Sequence, residues 1–110
     1  MTLKEIVEFV ASIATSLEIP YAYDHFSSPT NPPFLAFLIE RDDFIADDTN
    51  YQKIVRLIIE FYSDNKEPEM EETIESLLLT PYTVEFTYLD TEKLYMTTYE
   101  MEVCLSGEQD

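Results

Sequence analysis

The apolar residues of the first twenty positions recur at steps of three and four, the spacing of one face of an α-helix. This stripe consists of Leu3, Ile6, Val7, Val10, Ile13, Ala14 and Leu17. Thr2 and Glu5 lie three residues apart at its start, so their side chains can cap the free backbone amides. Pro20 disfavours helical backbone in the residue before it. The pattern therefore predicts a helix over residues 3–17.

Short apolar and aromatic runs predict three strands in the middle of the chain, at residues 21–26, 34–40 and 51–62. A proline-rich loop at 27–33 and an acidic loop at 41–50 separate them. In the third strand, both sets of alternating positions contain aliphatic side chains. A strand of this kind is expected at the centre of a sheet, covered at least partly on both faces.

A second helix is predicted to begin at Pro68, because proline suits the first helical position and the neighbouring carboxylates favour the positive end of the helix dipole. Pro81 ends it. Its buried stripe is expected to consist of Met70, Ile74, Leu77 and Leu78. Its outward face is expected to carry the acids Glu67, Glu69, Glu71, Glu72 and Glu75.

Residues 82–89 and 94–104 alternate between apolar and polar positions, and the turn-forming residues 90–93 join them, which predicts a β-hairpin. The first strand would place Tyr82, Val84, Phe86 and Tyr88 on one face. The apolar face of the second would carry Tyr95, Thr97, Tyr99, Met101 and Val103.

The predicted order is therefore α-β-β-β-α-β-β. It indicates an α+β fold, in which two helices pack on one largely antiparallel sheet. Residues 1–104 are expected to form a single domain, followed by a flexible acidic C-terminal tail at 105–110.

The net charge of the chain restricts which partners it can bind. The chain has 23 Asp and Glu against six Lys and Arg, a net charge of −17. It is nonetheless 45% hydrophobic, with fifteen Phe and Tyr residues, which is enough for a buried core and argues against a disordered chain. A surface this acidic repels phosphate groups and anionic lipid headgroups. Charge-driven binding to DNA or to a membrane is therefore disfavoured.

Carboxylates are abundant, but the residues needed for phosphate binding, zinc binding or nucleophilic catalysis are few. Gly107 is the only glycine, so the glycine-rich loops that bind phosphates or dinucleotides are absent. His25 is the only histidine and Cys104 the only cysteine, whereas zinc sites and nucleophilic triads need more such groups. The single cysteine also indicates a reducing cytoplasm. We expect no enzymatic activity, no cofactor and no metal, with His25 an ordinary strand or loop residue and Cys104 a packing residue or strand-end filler, since a free cysteine behaves as a small buried hydrophobe.

The acidic loop lacks the alternating ligands and the glycine of an EF-hand calcium loop. Two interpretations remain: a solvated loop, or a partner contact in which Phe44 is an apolar anchor. Under the second, the candidate interaction residues lie in this loop and on the second helix. They are Asp42, Asp43, Phe44, Asp47, Asp48, Glu69 and Glu72.

Several segments follow one another in a distinctive order: "IPYAYDHF" at 19–26, "SSPTNPPF" at 27–34, "FYSDNKEPE" at 61–69 and "DTEKLYMTTYEMEV" at 90–103. This succession resembles the tail-terminator, or tail-completion, proteins of long-tailed phages and prophages of Gram-positive bacteria. The family has no active-site motif, so the resemblance assigns no functional residue. Related head-completion proteins share the α+β fold class, so the resemblance does not distinguish a tail-terminator role from a head-completion role.

The resemblance implies a structural protein of the virion, formed in the host cytoplasm and located at the head-proximal end of the tail. There it would cap the tail tube as a ring, typically a hexamer, and join it to the head connector. The implied partners are further copies of the chain, the tail-tube protein and a head-completion protein. DNA would pass through the lumen without specific binding, and no membrane would be involved.

The acidity is also compatible with another function, a DNA mimic that blocks a nucleic-acid-binding host protein. Such a mimic acts as a monomer or dimer, and its affinity for a basic target falls steeply with salt. A ring subunit should instead associate with itself or with tail-tube protein. Self-association and its dependence on salt therefore distinguish the two functions.

Overall fold

The computed structural model describes residues 1–41 and 53–105 of the 110-residue chain. These residues form a single α+β domain, and the order of its elements confirms the predicted one. The elements are α1 (Leu3–Leu17), β1 (Tyr21–Tyr23), β2 (Phe34–Arg41), β3 (Lys53–Ser63), α2 (Pro68–Leu77), β4 (Tyr82–Leu89) and β5 (Leu94–Leu105).

The strands form one sheet in the order β1-β2-β3-β5-β4. All neighbouring strands are antiparallel except β1 and β2, which are parallel. As predicted, β3 lies at the centre of the sheet, between β2 and β5, and β4 and β5 form a hairpin. The strands β1 and β4 are the two edges.

Both helices pack on the same face of the sheet. The capping box at the start of α1 is confirmed, because the Glu5 amide donates to Thr2 Oγ1 at 3.1 Å and the Thr2 amide donates to Glu5 Oε1 at 2.8 Å. The apolar side of α1 and Ile74 of α2 cover alternate residues of the three inner strands. The fully buried core residues include Ile6, Val10, Ile13, Leu35, Leu57, Ile59, Phe61, Ile74 and Tyr99.

The opposite face of the sheet, called here the open face, carries none of the described helices. The cover expected on both sides of β3 is therefore partial on this side among the described residues. Ile58 is buried on the open face, at 9% exposure, between its neighbours on β2 and β5. Ile54, nearer the end of the strand, is 47% exposed.

The structure corrects three details of the sequence-based prediction, and a fourth falls mostly outside the described residues. β1 ends at Tyr23 rather than at residue 26, so His25 lies outside the strand. Cys104 does lie in β5, but its side chain is exposed. Leu105 is the last residue of β5 and is buried, so it belongs to the domain. Arg41 ends β2, while 42–52 and 106–110, which include most of the predicted acidic loop and tail, lie outside the described residues.

Candidate interaction surface

The acidic residues predicted to contact a partner fall into two groups. Five of them lie outside the described residues: Asp42, Asp43, Phe44, Asp47 and Asp48. The other two, Glu69 and Glu72, are exposed on α2, as expected for its outward face. Neither side chain forms a salt bridge with a described residue. Their role in binding stays a prediction.

Two other acids of α2 face the sheet, which contradicts the predicted outward orientation. Glu71 is only 8% exposed, and its Oε2 accepts hydrogen bonds from Lys66 Nζ and Thr97 Oγ1, both at 3.1 Å. Glu75 Oε2 accepts a hydrogen bond from the Tyr99 hydroxyl at 3.1 Å. Both lie within one turn of the buried Ile74, on the side of the helix that meets β5. The hydroxyl groups of Thr97 and Tyr99 on β5 therefore donate hydrogen bonds to two carboxylates that the sequence periodicity had placed in solvent.

The other end of α2 also differs from the predicted stripe. Ile74 and Leu78 are buried and Met70 is partly buried, but Leu77 is 40% exposed. The polar contacts of α2 with the sheet run to Thr97 and Tyr99 on β5. The helix thus lies over β5, and the edge strand β4 extends beyond it.

As a result, β4 carries a row of exposed apolar side chains on the face that the helices cover elsewhere. Val84, Phe86 and Tyr88, called here the β4 apolar row, are 41%, 56% and 47% exposed. Their partners across the hairpin are Tyr99, Thr97 and Tyr95, on the core side of β5. Clusters of exposed apolar side chains of this kind commonly mark protein interaction sites. The alternation in the sequence predicted this face but not its exposure.

Lys66 and Tyr95 contact two side chains of the β4 apolar row. Lys66 Nζ lies 4.3 Å from the centre of the Phe86 ring while it contacts Glu71. The ring centres of Tyr88 and Tyr95 are 4.9 Å apart. A cation over an aromatic face and a ring pair each stabilise the arrangement modestly. Phe86 and Tyr88 are therefore each held by a neighbouring side chain although about half of each is exposed.

The only histidine of the chain lies just after β1. His25 Nδ1 lies 3.1 Å from Asp24 Oδ2, but both side chains are largely exposed. Across residues 1–41 and 53–105, no group of three or more His, Cys, Asp and Glu side chains is placed to hold a metal ion. Within the same ranges, no helix is long and apolar enough to cross a membrane.

Neither a protein-family model nor a curated protein sequence matches this chain. Function is therefore inferred from the residues of the chain itself, above all from the β4 apolar row and the charges around it.

The Tyr99 contact predicts how stability depends on pH. Burial raises the pKa of the Tyr99 hydroxyl above its ordinary value, and the hydrogen bond to Glu75 raises it further. Burial and the hydrogen bond to Glu60 raise the pKa of Tyr62 in the same way. A raised pKa favours the neutral phenol in the folded state. Its contribution to stability is complete below the unfolded pKa of about 10 and is lost as the pH rises above it.

We therefore expect Tyr99→Phe to reduce stability by about 1 kcal/mol at pH 7, through the lost hydrogen bond, and to weaken the alkaline loss of stability. Urea unfolding measured from neutral pH to pH 11 tests this. Tyr62→Phe should act in the same direction, and the double variant should show the flattest profile. Unchanged alkaline slopes in all three variants would contradict the assignment.

Proposed function

We propose that this protein is a non-enzymatic assembly subunit that forms a ring with other copies and caps a tail tube, as a tail terminator does. The observation that carries this proposal is the β4 apolar row on an edge strand. The sequence resemblance supports the specific role at the head-proximal end of a tail. The proposed partners are further copies, the tail-tube protein and a head-completion protein.

Electrostatics favours the β4 apolar row as the contact between copies. Bringing together subunits of charge −17 costs electrostatic work, and that work is smallest where the approaching surfaces carry few carboxylates. None of the β4 side chains on the helix-side face is acidic. Burying the half-exposed Phe86 and its neighbours supplies an apolar gain that offsets the repulsion.

The two edges of the sheet differ, and a ring of identical subunits can form through contacts between unlike edges. On one side β4 is unpaired along its length among the described strands. On the other, β1 pairs only with Leu35–Phe37, so the end of β2 from Leu38 to Arg41 has no described strand on the side away from β3. Contact between unlike edges is head-to-tail, and a head-to-tail contact that closes on itself produces a ring. The sequence resemblance suggests six subunits in that ring.

The test is sedimentation velocity at several protein and salt concentrations. We expect association to increase with salt, because salt screens the repulsion between like-charged subunits. Phe86→Glu should weaken association about tenfold or more, since it places a carboxylate in the apolar contact. Thr87→Glu is the matched control: it adds the same charge to the adjacent residue, on the open face. Equal loss in both variants would exclude the β4 apolar row as the contact.

A second candidate, the acidic DNA mimic, is favoured by the charge of the open face. That face carries the carboxylates Glu40, Glu60, Glu85, Glu100 and Glu102. A mimic would remain monomeric or dimeric at high salt and would bind a basic protein less tightly as salt rises. A protein that stays monomeric at high salt and high concentration, and does not bind tail-tube protein, would be better explained as a mimic.

A further inference from the structure

Two exposed tyrosines lie on the edge strand β1, at the opposite end of the sheet from β4. Tyr21 and Tyr23 are 40% and 53% exposed. Both lie on the helix side of the sheet, where their ring centres are 6.4 and 5.2 Å from that of the buried Phe37. The β4 apolar row lies on the same side at the other edge. Each edge of the sheet therefore presents half-exposed apolar or aromatic side chains on one common face.

The outward-facing backbone groups of β1 belong to these same tyrosines. The Pro20 carbonyl and the Asp24 amide both hydrogen-bond to β2. Because successive strand residues turn their backbone groups to alternate sides, those of Tyr21 and Tyr23 turn away from β2. The Tyr23 carbonyl already accepts a hydrogen bond from the His25 amide at 2.7 Å. Among the described residues, this leaves the amide and carbonyl of Tyr21 and the amide of Tyr23 for a further strand.

The outward-facing backbone groups of β4 belong to the β4 apolar row. The Cys104 carbonyl bonds to the N-terminal amino group, so it points away from β3, to the side of β5 on which β4 lies. Glu100, four residues earlier in the same strand, turns the same way, and its partner Thr83 turns towards it. The next residue, Val84, therefore turns its backbone groups outward, and so does every second residue after it. No described strand pairs with them.

The match between backbone and side-chain directions decides how the two edges can meet. Within one subunit β1 and β4 run in opposite directions, so a second copy that continues the sheet places its β1 antiparallel to β4. Residues that exchange hydrogen bonds across an antiparallel pair have their side chains on the same face. On both edges, the outward-facing residues carry their side chains on the helix side. Pairing therefore keeps the helices of all copies on one side of a continuous sheet, as subunits related by rotation in a ring require.

The carboxylates on the open face favour one register between the two strands. Ala22 of β1 and Glu85 of β4 both lie on that face. When Ala22 lies opposite Glu85, Asp24 falls opposite the uncharged Thr83. A shift of two residues towards the end of β4 places Asp24 opposite Glu85 instead, and like charges directly opposite each other are destabilising. Electrostatics therefore favours the pairing of Ala22 with Glu85.

The same register joins the aromatic side chains on the helix side. Tyr21 then lies opposite Phe86, which at 56% is the most exposed residue of the β4 apolar row, and Tyr23 lies opposite Val84. Lys66 Nζ lies 4.3 Å from the centre of the Phe86 ring, so the incoming Tyr21 ring arrives beside this cation. An ammonium group attracts the negative face of an aromatic ring. The one cation at the β4 edge thus meets an aromatic side chain of the second copy.

The apolar area of this contact is small. The two tyrosines and the three residues of the β4 apolar row are each about half exposed. At about 200 Å² for a whole aromatic side chain, they can bury about 500 Å² together. A specific interface buries on the order of 1,200–2,000 Å². A single contact is therefore weak, and a ring, in which each subunit makes two such contacts, holds it more firmly.

We propose that β1 of one copy adds to the β4 edge of the next as an antiparallel strand, with Tyr21 opposite Phe86 and Ala22 opposite Glu85. This pairing rests on the proposed ring function and supplies the second surface of the contact between copies. The backbone groups of Tyr21 exchange hydrogen bonds with those of Phe86. Strand addition takes its affinity from the main chain and its specificity from alternate side chains. Here Tyr21 and Tyr23 complete the β4 apolar row.

Disulfide formation between copies tests the pairing. Ala22 and Glu85 lie on opposite edges of a five-stranded sheet, about 19 Å apart within one chain, so a disulfide between these positions joins two chains. In a Cys104→Ser background, an equal mixture of the Ala22→Cys and Glu85→Cys proteins should give a disulfide-linked dimer under mild oxidation. Neither protein alone should do so. A chain with both substitutions should give a ladder of linked oligomers on a denaturing gel.

The neighbouring positions of β4 test the register. Thr83→Cys and Thr87→Cys place the thiol on the same face of the strand, two residues to either side of Glu85. Diagonal neighbours across two strands are farther apart than directly opposite ones. Each of these variants should therefore form a disulfide with Ala22→Cys about tenfold more slowly than Glu85→Cys does.

Sedimentation velocity supplies a second measurement without cysteines. Tyr21→Glu should weaken association about tenfold or more, because it places a carboxylate in the apolar contact. Ile54→Glu is the matched control: Ile54 is 47% exposed, but it lies on the central strand, away from both edges. This control should associate as the unchanged protein does.

The outcomes separate the pairing from the ring function on which it rests. Association that Tyr21→Glu leaves intact, without a disulfide between Ala22→Cys and Glu85→Cys, would overturn the pairing and leave the ring function standing. Absence of association at every salt and protein concentration would overturn both. A disulfide in Glu85→Cys alone would mean that β4 pairs with β4 of a second copy in a two-fold dimer, and this too would overturn both.

Discussion

Replacing Phe61 with alanine is expected to lower the free energy of unfolding by about 3–5 kcal/mol. Phe61 is 0% exposed at the centre of the core, on the middle strand of the sheet. Truncation removes the transfer energy of the ring and leaves a cavity that the surrounding strands cannot close. Because small domains have a total stability of about 5–15 kcal/mol, this loss is a large part of the whole. Urea unfolding followed by circular dichroism measures it.

Phe86→Ala is the matched control, because it removes the same side chain from the same face of the same sheet. Phe86 is 56% exposed, so we expect this variant to lose less than about 1 kcal/mol. The difference between the stability losses of Phe61→Ala and Phe86→Ala therefore shows whether Phe86 belongs to the buried core or to an exposed row. Similar losses in the two variants would mean that β4 is covered in the free subunit, and the proposed contact surface would then not exist.

The second large effect is expected at Glu71. Glu71→Ala removes the acceptor for the Thr97 hydroxyl, which is buried on β5. A buried hydroxyl without a partner costs about 1–3 kcal/mol, and Lys66 also loses its carboxylate partner. Glu72→Ala, at the adjacent exposed position, should change stability by no more than about 0.5 kcal/mol. Chemical unfolding of both variants provides the comparison.

A double variant tests whether the hydrogen bond is the cause. Thr97→Val removes the hydroxyl, so combining it with Glu71→Ala should recover part of the stability lost in Glu71→Ala alone. The effects of the two substitutions should therefore not be additive. Strict additivity would show that Glu71 and Thr97 do not interact, and that α2 is held over β5 by its apolar contacts.

The sequence alone determined the type and order of the elements and the two faces of the long strands. The capping pair Thr2 and Glu5, the proline at 68 and the alternation from residue 94 onward are local signals, and each produced the predicted structure. Such signals succeed because hydrogen bonds to the local backbone and the periods of helix and strand depend on nearby residues. The α+β class follows from the order of these elements.

Only the tertiary structure decided what covers each face. Tyr99 and Val84 lie opposite each other on one face of the hairpin, yet Tyr99 is fully buried and Val84 is 41% exposed, because α2 reaches β5 and stops short of β4. The same placement turned Glu71 inward and left Glu72 in solvent. Periodicity shows which side chains share a face, but long-range packing decides whether that face meets a core, solvent or another protein.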